Sequence, residues 1–342
     1  MEPAGWIGAA RSGRGVRRMS PAIPPPGLPA DAVLIDAATG SGAAGRLIAF
    51  SAFEPYELAD YLEALSHLMP DVAIDVWRMP TSSLTAFLLA GAEGDLVLGW
   101  ADTAAQSPGI APRIAPPPRG AGCDADGFCR PTGFSLAFVA DPALLRSRGI
   151  GLPSRWTDLA APALKGALLF PDPRRSGAGY LALTTILQYY GSEDGWRLMV
   201  EIDRNVLDYP GSAWEPAARV GEGEAALGIT VRVSARRRLR DNPALELALP
   251  HEAIGAEAEV YGILAASKQQ ALARRVLEWV MSDEASSLYR HHAKLLLREE
   301  REAGLFAINS ERASRERPAI LQRFDALMRM RAARGTRTEA IR

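Results

Sequence analysis

From Gly45 onward, short continuous apolar runs alternate with segments whose apolar residues recur at helical spacing. Residues 46–51 (RLIAFS) form a run suited to a buried strand. Residues 57–68 place apolar side chains at 58, 61, 62, 65 and 68, one face of a helix. Residues 72–77 read as the next strand and 82–90 as a helix opened by the N-cap types Thr81, Ser82 and Ser83. Residues 95–99 read as a third strand. Further on, 167–170 and 225–230 read as strands, and 179–190 and 270–281 as helices. Strands separated by helices imply parallel βαβ units and hence an α/β protein. From Arg298 the chain is dense in Arg and Glu, the pattern of a solvated amphipathic helical tail.

A length of 342 residues predicts about two domains. Lys and Arg number 39 against 40 Asp and Glu, a formal charge of −1, which argues against a surface built throughout for nucleic acid or an anionic membrane. With 48% hydrophobic and 23% charged residues the composition is that of a globular protein with a sizeable core. Two Cys exclude a disulfide scaffold and any multi-Cys metal centre. No apolar run approaches the ~18 residues of a membrane-spanning helix. Residues 1–30 carry Arg11, Arg14, Arg17 and Arg18 and then a Pro-rich stretch. Those prolines break up the apolar segment a secretory signal needs, so residues 1–45 are expected to be a disordered leader or the product of a start codon placed too far upstream.

Local chemical motifs are weak. Gly40-x-Gly42-x-x-Gly45 is similar to a dinucleotide or S-adenosylmethionine loop, but Gly45 runs straight into a strand-like segment. A linker is the simpler reading, and a methyltransferase stays as an alternative. Cys123 and Cys129 bracket a Gly-containing turn and fit either a small hairpin disulfide or two inert thiols. Asp124-x-Asp126-Gly127 begins like a calcium loop but lacks the later ligands. His67, His251, His291 and His292 are scattered, and no hydrolase or zincin motif is present. No catalytic residue, metal site or cofactor is assigned. The Arg run at 236–240 fits a solvated helix face better than a nucleic-acid patch, since no aromatics are interleaved.

A longer pattern is more specific. Pro153, Trp156, Asp158, Leu159, Pro162, Lys165 and Gly166 precede a strand, followed by Pro171-x-Pro173, Ser176-Gly177-x-Gly179-Tyr180, Gly191, Trp196, Asn205-Val206, Tyr209-x-x-Ser212, Val220-Gly221, Glu224 and Gly228-Ile229. Gly94-Asp95 through Gly99 lies upstream, and Glu252-x-x-Gly255-x-Glu257 and the segment 271–285 lie downstream. In order and spacing this pattern resembles the extracellular solute-binding proteins of ABC importers, in the branch of ferric-iron, 2-aminoethylphosphonate and sugar-phosphate binders, over residues 46–310.

The resemblance implies an α/β, two-lobed periplasmic-binding-protein-like (type II) fold with crossing hinge strands. It also implies a periplasmic, non-enzymatic monomer that passes its solute to ABC permease transmembrane subunits and binds no nucleic acid. Lobe one is expected at 46–133 plus 251–285, and lobe two at 134–250 plus 286–342 with the C-terminal helical tail. Ligand would lie between the lobes, beyond the carboxyl ends of the strands. Ser51, at a strand end, and Ser82 and Ser83, at a helix start, are candidates; a plain strand end and plain N-capping are the other readings. Ser176, Gly177 and Gly179 open a helix where backbone N–H groups can approach an anion. Tyr209 and Ser212 offer hydroxyls, with packing an equal role for Tyr209. After Ile229 the ferric branch carries a Tyr pair, whereas here stand Thr230, Val231 and Arg232. Arg232 would favour a small anionic solute, a phosphonate or phosphate ester. A ferric-iron binder and a solute-sensing regulatory subunit of the same fold are the remaining alternatives.

Overall fold

The computed structural model describes residues 22–35, 39–117, 122–299 and 303–339. Strand β1 (Val33–Leu34) is followed by β2 (Gly45–Ser51), α1 (Pro55–Leu68), β3 (Val72–Arg78), α2 (Thr81–Leu89), β4 (Leu96–Ala101) and the short α3 (Asp102–Ala105). β2 runs parallel to β3 and β4, and its alternate residues serve opposite faces. Leu47 and Ala49 join the core under α1, whereas Phe50 packs with Trp77, Phe87 and Trp100 under α2 and α3.

Next come β5 (Cys129–Ala140), α4 (Pro142–Ser147), β6 (Leu168–Leu169), α5 (Gly177–Tyr190), α6 (Ser192–Asp203), β7 (Val206–Asp208), α7 (Glu215–Gly221), β8 (Leu227–Val231), α8 (Arg232–Asp241) and β9 (Glu246–Ala248). The chain returns through β10 (Ile254–Ile263), α9 (Gln270–Val280), α10 (Asp283–His291), β11 (Leu295–Leu296) and β12 (Leu305–Ala307) to α11 (Ser310–Glu339). The strand order is β1-β3-β2-β4-β10-β5-β8-β6-β7. The first lobe is thus mixed rather than all parallel, because β10 joins β4 antiparallel.

β5 and β10 are the crossing strands. Cys129 to Ser135 of β5 pair with β10, and Leu136 to Ala140 pair with β8 and β9 in the second lobe. In that lobe α5 is buried on nearly all sides, between the sheet and helices α6 and α11. Several residues of the long sequence pattern are structural. Trp156 is fully buried and its Nε1 donates to the Ala253 carbonyl at 2.9 Å, while Asn205 Nδ2 donates to the Leu159 and Ala161 carbonyls, both at 2.8 Å.

Two boundaries differ from expectation. Residues 22–35 are part of lobe one: β1 pairs with β3, and Ile35 is buried in its core because the α1–β3 layer leaves an apolar edge there. Residues 1–21 of the expected leader lie outside the described residues. Residues 286–296, grouped above with the second lobe, pack on the first. There Leu288 and Tyr289 join the α1 and α9 core, and β11 pairs with the first half of β5. The helical tail packs on the second lobe, with Phe324 and Leu327 in its core and Asp203 held by Arg331 and Arg334. The Gly40–Gly45 loop opens no helix. It leads into the start of β2, about 20 Å of strand away from Ser51.

Candidate functional site

Parallel strands β2, β3 and β4 all end at the same edge of lobe one, facing the start of α5 in lobe two. The cleft between them is narrow, about 70 Å³, as expected of two lobes drawn close together. Phe134 and Glu259 of the crossing strands form part of its floor.

Lobe two contributes the first turn of α5. Ser176 is the N-cap and its Oγ accepts from the Gly179 N–H at 3.3 Å, while Gly177 and Ala178 line the cleft. The first N–H groups of a helix have no intrahelical acceptor and carry partial positive charge. Arg174 and Arg175 diverge just before this turn. Arg174 is held by Asp172 at 2.6 Å and Asp325 at 3.2 Å, whereas Arg175 lines the cleft. The Arg175 guanidinium lies over Gly211, where a Cβ would come within 2.7 Å of Cζ and push the guanidinium aside.

Lobe one contributes a second guanidinium. Arg78, at the end of β3, donates through Nε to the Phe53 carbonyl at 3.1 Å and sits 3.5 Å from Glu54. Burial raises the Glu54 pKa, against the pull of Arg78. Deeper in the floor, Lys294 lies between Glu57 at 2.6 Å and Glu259 at 2.5 Å, with its ammonium 3.9 Å from the Phe53 ring centroid. Burial first, and then Glu259 against the attraction of Lys294, pushes the Glu57 pKa up to about 7. Three cations therefore face three carboxylates, one of them partly protonated at neutral pH. The start of α5 adds partial positive charge to this balance.

Of the expected site residues, Ser176, Gly177 and Ser212 line this cleft, Ser212 with its hydroxyl donating to Glu215 at 2.7 Å. Ser82 spans it, its Oγ donating to the Arg175 carbonyl at 3.3 Å. The others lie elsewhere. Ser51 is fully buried, donating to the Leu98 carbonyl and accepting from Phe53 N–H, which ties β2 to β4. Ser83 points to Asp31 at 2.8 Å. Gly179 packs against the Pro171 carbonyl, where a Cβ would come within 2.3 Å. Tyr209 is wedged between Phe170 and Phe324 with its hydroxyl on Asp203. Thr230 donates to the Ala213 carbonyl at 2.6 Å. Arg232 opens α8 and lines a separate cavity beside Asp102 and Glu257, because β8 ends at Val231 and the helix start turns it away. Arg78, Arg175, Glu57 and Lys294 were not anticipated. Only Arg175 had a sequence signal, its place beside the candidate Ser176.

Cys123 and Cys129 are joined as a disulfide, and Asp124 Oδ1 accepts from the Asp126 and Phe128 N–H groups, so the calcium-like motif is a turn. Among the described residues no group of His, Cys, Asp and Glu is arranged to hold a metal, and no helix is long and apolar enough to cross a membrane.

A family model described as bacterial extracellular solute-binding protein matches residues 132–300. An uncharacterised protein of Haemophilus influenzae is 30% identical over 154 residues, 45% of this chain and 44% of that relative. The phosphoglycerate transport regulatory protein PgtC of Salmonella typhimurium is 26% identical over 123 residues, 36% of this chain and 30% of its own length. The match thus spans less than half of either curated relative. Among solved structures, the periplasmic binding protein AfuA of Actinobacillus pleuropneumoniae, with fructose-6-phosphate bound, superposes with a TM-score of 0.72 at 19% identity, covering 82% of this chain and 97% of that one. A substrate-binding protein of an ABC transporter from Agrobacterium tumefaciens superposes with a TM-score of 0.74 at 15% identity, covering 86% and 98%. Residues 132–300 thus match the bacterial extracellular solute-binding family, and the chain has the two-lobed type II periplasmic-binding-protein fold.

Proposed function

We propose that this solute-binding protein captures a small anionic solute, a phosphate ester or phosphonate, between its lobes and delivers it to the transmembrane subunits of an ABC importer outside the cytoplasmic membrane. The observation that carries the reading is the meeting of Arg175, Arg78 and the first turn of α5 in one inter-lobe cleft. A phosphoryl group there would take backbone N–H groups at Gly177 and Ala178 and charge-assisted bonds from a guanidinium of each lobe. Because the two arginines come from opposite lobes, the anion would neutralise both only when the lobes are together. Binding and closure are coupled in this way.

Two relatives support the phosphate ester: fructose-6-phosphate is bound in AfuA, and PgtC is named for phosphoglycerate transport. Ferric ion, the alternative, would meet no Tyr or His among the described lining residues, and each carboxylate there already faces Arg78 or Lys294. Tyr189 and Tyr190 lie at the far end of α5, with the Tyr190 hydroxyl on Glu252. A sensing role is the second reading, favoured by the regulatory name of PgtC, and it would use the same cleft. A thermal-shift screen with fructose-6-phosphate, phosphoglycerate, 2-aminoethylphosphonate, simple carboxylates and ferric citrate tests the proposal. Dose-dependent stabilisation by the phosphorylated or phosphonylated compounds is expected. Stabilisation by ferric citrate alone would refute it.

A further inference from the structure

Two of the contact seams between the lobes flank the cleft beside α5 and α8, and their chemistry differs. Beside α5 the contact is slight: Ser82 donates to the Arg175 carbonyl, and Thr81 lies against Gly177. Beside α8 an aromatic side chain crosses from one lobe to the other. Tyr56 belongs to the first turn of α1, whose helix is anchored in the core of lobe one by Leu58, Tyr61 and Leu62. Its ring nevertheless packs against the core of lobe two. There its hydroxyl lies 3.0 Å from Ser234 Oγ, and the Arg237 guanidinium sits 4.4 Å from the ring centroid.

Opening the lobes would strip this ring of its apolar neighbours, break the hydroxyl–hydroxyl hydrogen bond and pull a cation off an aromatic face. All three losses favour the closed form. The seam is also tied to the site from both sides. Glu57, the residue after Tyr56, stands in the cleft floor. Val233, the residue before Ser234, lines the cleft wall. The Arg run at 236–240 thereby gains a member with a defined partner.

We propose that Tyr56, with Ser234 and Arg237, forms an inter-lobe latch whose release sets the rate at which bound solute leaves. Tyr56 and Arg237 are positioning residues in this reading: they hold the lobes and touch no solute.

The test uses the full chain with spin labels at Glu63→Cys and Ser147→Cys, one exposed position in each lobe, the native cysteines being paired. Inter-lobe distance distributions are measured by pulsed electron resonance with and without fructose-6-phosphate, and release of that ligand by stopped flow. The wild type should show a short-distance population, and Tyr56→Ala and Arg237→Ala should each reduce it. The double variant should reduce it no further than the stronger single one. Release should quicken roughly tenfold in each variant with little change in the association rate. Tyr56→Phe, which keeps the ring, should fall between, so a folding defect in Tyr56→Ala does not decide the matter. Unchanged distances in Arg237→Ala and Tyr56→Phe, or no short-distance population in any condition, overturns the latch. Failure of the wild type to bind fructose-6-phosphate counts against the ligand reading instead, and the distances alone then judge the latch.

Discussion

A single methyl group placed at Gly177 tests whether the cleft works by closing. A Cβ there would lie 2.9 Å from Thr81 Oγ1 and 3.4 Å from Ala101 Cβ, both in the opposite lobe. Ordinary contacts begin near ~3.5 Å. Thr81 is buried and β-branched, so it yields little by rotation, and the lobes must move apart by a few tenths of an ångström instead. Gly177 has no left-handed backbone, so Ala is unstrained in the unclosed lobe and should stabilise its helix by about 0.4–1 kcal/mol. Overpacking a formed interface costs about 1–3 kcal/mol, which here falls on closure alone and weakens solute binding roughly 5- to 150-fold. Calorimetric titration with fructose-6-phosphate, alongside the melting temperature without ligand, separates the two effects. Gly177→Ala should lose affinity with an equal or higher melting temperature, and Gly177→Val should lose more affinity. Wild-type affinity in Gly177→Val would refute the reasoning, because a side chain of that size cannot be accommodated without separating the lobes.

Other outcomes follow from single groups. Arg175→Ala should weaken anion binding by about 1.5–3 kcal/mol, roughly ten- to a hundred-fold, whereas Arg232→Ala, outside the cleft, should leave titrated affinity unchanged. Glu57 has a folded pKa raised from 4.5 to about 7, so the folded state binds more protons than the unfolded chain between those values. Its contribution to stability therefore grows as pH falls from about 7 toward about 5. Anion affinity should strengthen over the same interval as the floor loses a negative charge, and Glu57→Gln should flatten both profiles. Deletion of residues 1–44 should lower the melting temperature, because it strips β1 from β3 and uncovers the Ile35 pocket; burial of such a side chain is worth about 1.5–3 kcal/mol.

The βα alternation of lobe one was legible because each element closes locally. Residues 46–51, 57–68 and 72–77 carry their own periodicity, and the observed bounds differ by two residues at most. The crossing strands were not legible from pattern. β10 contains Glu257 and Glu259 within an otherwise apolar run, and their burial depends on distant partners, Thr103 N–H and Lys294. Residues 22–35 were misread as leader because Pro-rich composition says nothing about an edge strand waiting on β3. At the site, Ser176 and Gly177 were found because a helix start is a local signal. Arg232 was misplaced because side-chain direction at a strand end depends on where the chain turns, and here β8 ends at Val231 and Arg232 already opens α8. Lys294 is brought to the floor from far along the chain, next to Ala293 at φ 57°, and no local pattern announces that approach.

In the proposed function, the cleft selects its solute by a phosphoryl group held between Arg175, Arg78 and the start of α5. Isothermal titration of the wild-type protein with fructose-6-phosphate and, separately, with fructose isolates that group. This selection predicts one site per chain for the phosphate ester, roughly tenfold or more weaker binding of the free sugar, and loss of most of that difference in Arg175→Ala. Equal affinity for the ester and the free sugar, or a preference for the ester that survives unchanged in Arg175→Ala, contradicts it.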